Sequence, residues 1–261
     1  MSDPLTGADS DADRIGSVFK TANIVDAVND LEAATVTEVT AAVGMPRSTV
    51  HVYLESLREA GYLIREDGRY RLSMTFLEYG GELRQRQEVF QTAKSQVNAL
   101  ADRTGEVVDL GIEEGGKRVL IYKSEAEQGI YDNPPVGQHT HMHWTALGKA
   151  LLAGLPDDRI EAIVDRHGTP AETERTITGR EALFDEIETV RERGYSIEDE
   201  DRRKGIKGIG MPINDIDSGG VIGAVSVSGP RSRLNEERVA EEIVPALEDA
   251  VTIIELEYSY Y

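Results

Sequence analysis

The chain has 261 residues, no cysteine and a formal charge of −20 at pH 7. Such a length supports a buried core and two domains, and the missing cysteines exclude a disulfide framework and thiol catalysis. No apolar run reaches the roughly 18 residues of a membrane span, and so large an acidic excess suits solubility at high salt, in a halophile's cytoplasm.

Residues 1–13 carry −4 and have no apolar core, so they are expected to form a disordered acidic leader and not a signal peptide. Residues 14–75 carry only −1, whereas residues 76–261 carry −15. A surface that faces phosphate needs cations, and the nearly neutral segment is where to look for one.

Val18, Ala22, Val25 and Val28 recur at helical spacing and predict a helix from about Ser17 to Leu31. "TVTE" at 35–38 reads as a capping box, with Thr35 as N-cap and Glu38 three residues on. A short second helix carrying Val36, Val39 and Val43 should stop at Gly44 in a left-handed conformation. Pro46 then opens a third helix with Val50, Leu54 and Leu57 as its buried stripe. Its other face carries Arg47, Ser48, Thr49, His51 and Val52. Gly61 ends it, and Asp67-Gly68 suits a type I′ hairpin flanked by a Glu66–Arg69 cross-strand pair.

Three helices followed by a hairpin make a winged helix-turn-helix over residues 14–75. Such a head lays one helix in a major groove, and here Arg65, Arg69 and Arg71 give the wing its charge toward the DNA backbone. The same shape also serves protein contacts. Residues 76–91 form a linker helix, which Gly80-Gly81 is expected to interrupt. The stripe Phe90, Ala93, Val97 and Leu100 is available for dimer packing.

From residue 92 to 261, hairpins and helices alternate as an α+β domain with helices on one or both faces of a sheet. A hairpin spans 106–124 around Gly115-Gly116, and helices span 143–155, 157–166, 180–193 and 235–257. Residues 194–213 and 219–230 read as strands. Ser226 and Ser228, two apart, share one strand face, and Thr145 to Gly148 open a helix whose free N–H groups favour an anion. Together they offer a carboxylate site without a buried cation. His139, His141 and His143 would share a face if they lay on one strand, and three imidazoles suit zinc. That is the basis of an alternative function, a metal-dependent enzyme with Asp132 or Glu125 as water-activating partner; a polar strand edge is the other reading. "GIKGIG" at 205–210 lacks the spacing and the following helix of a dinucleotide fingerprint.

Four stretches occur in an order that resembles the IclR family of transcription regulators: "GMPRSTVHVYLESLREAGYL" (44–63), "TALGKALLA" (145–153), "GYSIEDED" (194–201) and "GAVSVSGPRSRL" (223–234). The resemblance runs over about residues 14–257. It implies a winged-helix head, a linker helix, a GAF-like effector-binding domain, and assembly as a homodimer or homotetramer. The implied partners are a double-stranded DNA operator and a small effector, a carboxylate or a sugar-derived or aromatic acid. The expected role is a non-enzymatic regulator of carbon catabolism genes that needs no cofactor. By position, the resemblance carries effector contact onto Ala146, Leu147, Glu198, Ser226 and Ser228. The chain departs from the family pattern at Val52, where arginine is usual, at Tyr53, at Glu198 in place of aspartate, and at Gly208, which leaves room for a bulkier effector.

Overall fold

The computed structural model describes residues 15–125 and 134–260; the leader 1–13 and Asp132 lie outside the described residues. The chain divides into two compact units, residues 1–83 and 84–261.

The first unit contains α1 (Gly16–Asp30), α2 (Val36–Val43), α3 (Arg47–Glu59), β1 (Leu63–Glu66), β2 (Arg69–Leu72) and most of α4 (Thr75–Gln85). Local chemistry sets its boundaries. The Glu38 N–H donates to Thr35 Oγ1 at 3.3 Å, and the Thr35 N–H donates to Glu38 Oε2 at 2.7 Å, so two N–H groups at the start of α2 are satisfied reciprocally. Gly44 ends α2 at φ +66°. Asp67 and Gly68 both have positive φ, as a type I′ turn requires, and the register sets Glu66 opposite Arg69.

Two expectations for this unit are corrected. The buried residues of α1 are Ile24, Ala27 and Val28, while Val18 and Ala22 are exposed. Only the second half of the helix packs on the core of Val39, Val50, Leu54, Leu57, Leu63 and Tyr70, so the first turns have nothing to bury against. In addition, α4 runs through Gly80-Gly81 without a break. Glycine weakens a helix by about 1 kcal/mol but keeps its N–H and C=O, so the hydrogen-bond ladder continues.

In the second unit, α5 (Glu88–Thr104) precedes the hairpin β3 (Val107–Glu114) and β4 (Lys117–Glu125). After β5 (His139–Thr140) come a 3₁₀ turn (Met142–Trp144), α6 (Ala146–Ala153), α7 (Asp157–His167) and α8 (Arg180–Arg193). Next are β6 (Ser196–Asp199), β7 (Ile206–Asn214) and β8 (Val221–Pro230), then α9 (Glu236–Arg238), a π-helical turn (Val239–Ile243) and α10 (Val244–Tyr258). The stretch 194–213 is thus two strands, and the C-terminal helix changes pitch near its start.

Six antiparallel strands form one sheet in the order β5-β4-β3-β8-β7-β6. Period-2 alternation sorts its side chains into two layers. Val108, Leu110, Val225, Val227 and Ile209 pack under α5 and α10, while Leu120 and Ala224 pack under α6, α7 and α8. Phe90, Ala93, Val97 and Leu100 of α5 belong to the first layer and are buried within their own chain. They are therefore not a dimer face, as the sequence suggested, because the helix periodicity does not say which surface covers the stripe. On the other side, α6 lies close to the turn before it: a Cβ on Gly148 would stand 2.2 Å from the Met142 carbonyl oxygen.

Candidate functional site

In the first unit, α3 presents Arg47, Ser48, His51 and Val52 to solvent, with Thr49 half-buried. Arg47 donates to Thr37 Oγ1 at 2.8 Å. The wing arginines are all engaged with carboxylates or carbonyls of this unit. Arg65 pairs with Glu55 at 3.4 Å, and Arg71 with Glu66 at 2.9 Å. Arg69 reaches Glu38 at 3.0 Å and donates to the Ala33 carbonyl at 2.7 Å. Glu66 and Arg69 are cross-strand partners in register, as expected, but the ion pair of Glu66 goes to Arg71, because the guanidinium of Arg69 turns toward the capped start of α2. Exposed pairs of this kind contribute little to stability and exchange readily.

In the second unit, a cavity opens where the start of α6 meets one sheet face. Two rows of side chains cross that face. Asp109, Ser226 and Gly210 are in register across β3, β8 and β7, and Val107, Ser228, Gly208 and Glu198 are in register across β3, β8, β7 and β6. All of these except Gly210 line the cavity, together with Thr145, Ala146, Leu147, Arg118 and Arg202. The cavity is narrow and partly open to solvent. Ala146, Leu147, Glu198, Ser226 and Ser228 are therefore brought together from positions up to 82 residues apart in the chain.

The helix start is less open than the sequence implied. Thr145 Oγ1 accepts the Gly148 N–H at 3.0 Å, and Glu198 Oε2 accepts the Ala146 N–H at 3.3 Å. Glu198 is buried, and that burial pushes its carboxyl up from 4.5 to about 8, with the Asp201 carboxylate adding to the shift. The Ala146 N–H, Lys149 and Arg118 oppose it without cancelling it. Glu198 is therefore mainly protonated at neutral pH and offers an O–H donor.

Nor is the cavity free of buried cations. Arg118 is only 3% exposed, and Arg202 is half-buried beside it. Both, with Asp109, escaped the sequence reading, since Arg118 follows the Gly115-Gly116 turn and looks like a solvated loop charge. The one available signal was its spacing from Leu120, which puts both on the same face of β4.

The three histidines do not share a strand. β5 ends at Thr140, because only His139 and Thr140 pair with β4. His139 contacts the Gly137 carbonyl at 2.9 Å, His141 the Lys117 ammonium at 3.0 Å, and buried His143 the Pro170 carbonyl at 3.0 Å. Glu125 pairs with Lys123. Among the described residues, no group of three or more His, Cys, Asp or Glu is placed to hold a metal ion, and no helix is long and apolar enough to cross a membrane. The metal-enzyme alternative loses its geometric basis.

Comparison with known proteins bears on both units. Residues 17–67 match the family described as "IclR helix-turn-helix domain", and residues 82–256 match "Bacterial transcriptional regulator IclR C-terminal". The chain belongs to the IclR family of transcriptional regulators. Similar proteins include the "Probable HTH-type transcriptional regulator ArcR" of Halobacterium salinarum, 30% identical over 97% of this chain and 98% of that one. The transcriptional regulator KdgR of Escherichia coli is 31% identical over 97% of this chain and 96% of its own. The crystal structure of the Thermotoga maritima IclR superposes with a TM-score of 0.78 at 29% identity, covering 95% of this chain and all of that one. An IclR-family member with a helix-turn-helix head and an α+β C-terminal unit is a DNA-binding regulator and not an enzyme.

Proposed function

We propose that this regulator reads a double-stranded operator with α3 and responds to a small carboxylate or sugar-derived acid bound in the cavity where α6 meets the sheet, controlling genes of carbon catabolism. The carrying observation is that Ala146, Leu147, Glu198, Ser226 and Ser228 line one cavity. Arg47, Ser48, Thr49, His51 and Val52 face the bases, with Val52 suited to a thymine methyl group, and Arg65, Arg69 and Arg71 hold phosphates. The protein works in a salt-rich cytoplasm as a homodimer or homotetramer. Support for assembly comes from apolar residues left exposed on α1 (Val18, Phe19) and α4 (Leu77, Tyr79, Leu83), in place of the buried stripe on α5. Light scattering at micromolar concentration in molar salt tests that assembly, and a monomer would refute it.

Gel shifts against the protein's own upstream region, with and without candidate acids, test the reading as a whole. Arg47→Ala is expected to weaken specific binding by about 1–3 kcal/mol while the second unit melts unchanged. Ser226→Ala and Ser228→Ala should each reduce the effector response about ten- to a hundredfold and leave effector-free operator binding intact. If both serine variants respond like the parent, the effector binds elsewhere.

A further inference from the structure

Two charges in the cavity contribute nothing evident to holding the fold together. Arg118 on β4 is 3% exposed, and its Nε and Nη1 have no hydrogen-bond partner among the described residues. Asp109 on β3 has a buried Oδ1 in the same condition. Both line the cavity and each feels the other's charge, yet no hydrogen bond joins them. Other buried charges in this unit are closely paired. Lys149 meets Asp201 at 3.0 Å and the Ile197 carbonyl at 2.9 Å, and Glu106 meets Arg238 at 2.8 Å. A fold gains no stability from burying two arginine donors and an aspartate oxygen without partners. The approach of Arg118 is also built in. Its stem crosses the sheet beside Gly111, where a Cβ would come 3.4 Å from Arg118 Cδ and 2.8 Å from both Leu147 Cδ2 and the Val119 carbonyl oxygen.

We propose that Arg118 and Asp109 are a two-ended recognition pair for a polyhydroxy carboxylic acid: Arg118 receives the carboxylate, and Asp109 accepts a hydrogen bond from a ligand hydroxyl. The inference rests on the reading of this cavity as the effector site and specifies the chemistry taken there. The guanidinium donates charge-assisted hydrogen bonds to a carboxylate, and its Nε and Nη1 are open donors on two different edges. Asp109 repels a plain carboxylate or an apolar tail but rewards a hydroxyl, and Ser226, its register partner on β8, adds a second hydroxyl contact on the same row. The start of α6 is a poorer carboxylate seat, because the Ala146 N–H already serves Glu198 and Thr145 caps Gly148. The acid therefore enters with its charged end toward β4 and its hydroxylated end over β3 and β8.

The test uses the full chain and calorimetry with D-gluconate, D-galactonate, D-xylonate and L-threonate. Each is compared with the alditol of the same skeleton and the straight-chain alkanoate of the same length. At least one aldonate is expected to bind ten- to a hundredfold tighter than both of its controls. Arg118→Met should erase the advantage over the alditol, and Asp109→Ala the advantage over the alkanoate. Ligand-free circular dichroism gives a second readout, in which both variants should keep the parent's secondary structure, with some loss of melting temperature because each leaves the other buried charge uncompensated. The inference is overturned if alkanoates bind as tightly as aldonates, if Arg118→Met keeps the aldonate affinity, or if Asp109→Ala keeps the advantage over the alkanoate. If alkanoates bind and Ser226→Ala weakens them, the effector cavity stands and only the polyhydroxy assignment fails. If no acid binds, both readings fall.

Discussion

Glu198→Gln is expected to flatten a pH dependence that the parent protein carries between about pH 4.5 and pH 8. The Glu198 carboxyl is raised from 4.5 to about 8 in the folded chain, chiefly by burial. Within that window the native state holds a proton that the unfolded state has released. Stability therefore falls as pH rises, by at most about 1.4 kcal/mol per pH unit, and this contribution is constant below and above the window. Glutamine cannot ionise and keeps an N–H donor in place of the carboxyl O–H. The variant should accordingly match the parent near pH 4 and exceed it by several kcal/mol at pH 8. Urea denaturation at fixed salt from pH 4 to 8 measures the difference directly. A parent–variant difference that does not change across those pH values would mean that Glu198 is ionised in the native protein, and its role as an O–H donor toward an effector would be lost.

Gly148→Ala should cost about 3 kcal/mol or more, among the largest effects of any single methyl group in this chain. The added Cβ would meet Met142 backbone atoms at 2.2, 2.5 and 2.7 Å, and backbone cannot rotate aside as a side chain can. The helix α6 would have to lift from the 3₁₀ turn, carrying Thr145, Ala146 and Leu147 away from the cavity. Gly80→Ala is the matched control. Nothing lies within 4 Å of the added atom there, and the helix already runs through that position, so a gain of about 0.4–1 kcal/mol is expected. Thermal melts of the two variants should move in opposite directions; equal shifts would show that packing against Met142 is not what requires glycine at 148.

The parts that could be read from the chain alone are those whose causes lie within a few residues. Thr35 and Glu38 are three apart, Gly44 needs only its own left-handed backbone, and Asp67-Gly68 fixes a turn without help from elsewhere. Ser226 and Ser228 share a face because strand geometry alone requires it. What escaped was decided by distant partners. Arg118 looks solvated until α6 closes over it, and nothing near residue 109 announces a buried carboxylate. The stripe on α5 was correctly apolar, but its cover came from the sheet and α10 of the same chain. The histidines alternate as a strand would, yet pairing stops at Thr140 and no ladder keeps them in line.

The wing arginines bear on how the proposed operator complex would behave as salt changes. Each phosphate gripped by a free cation normally expels condensed counterions, and binding then weakens with a slope near −0.9 per contact on a double-logarithmic plot. Here Arg65, Arg69 and Arg71 already hold Glu55, Glu38 and Glu66. A phosphate arriving at the wing displaces a carboxylate, and that carboxylate takes up a cation of its own from solution. The ions released by the DNA would be partly recaptured by the protein, and the proposed wing contact would work as an anion exchanger. Its contribution to affinity is smaller than three free arginines would give, but it declines more slowly as salt rises, and operator binding would persist in a brine that strips a more basic head from its site.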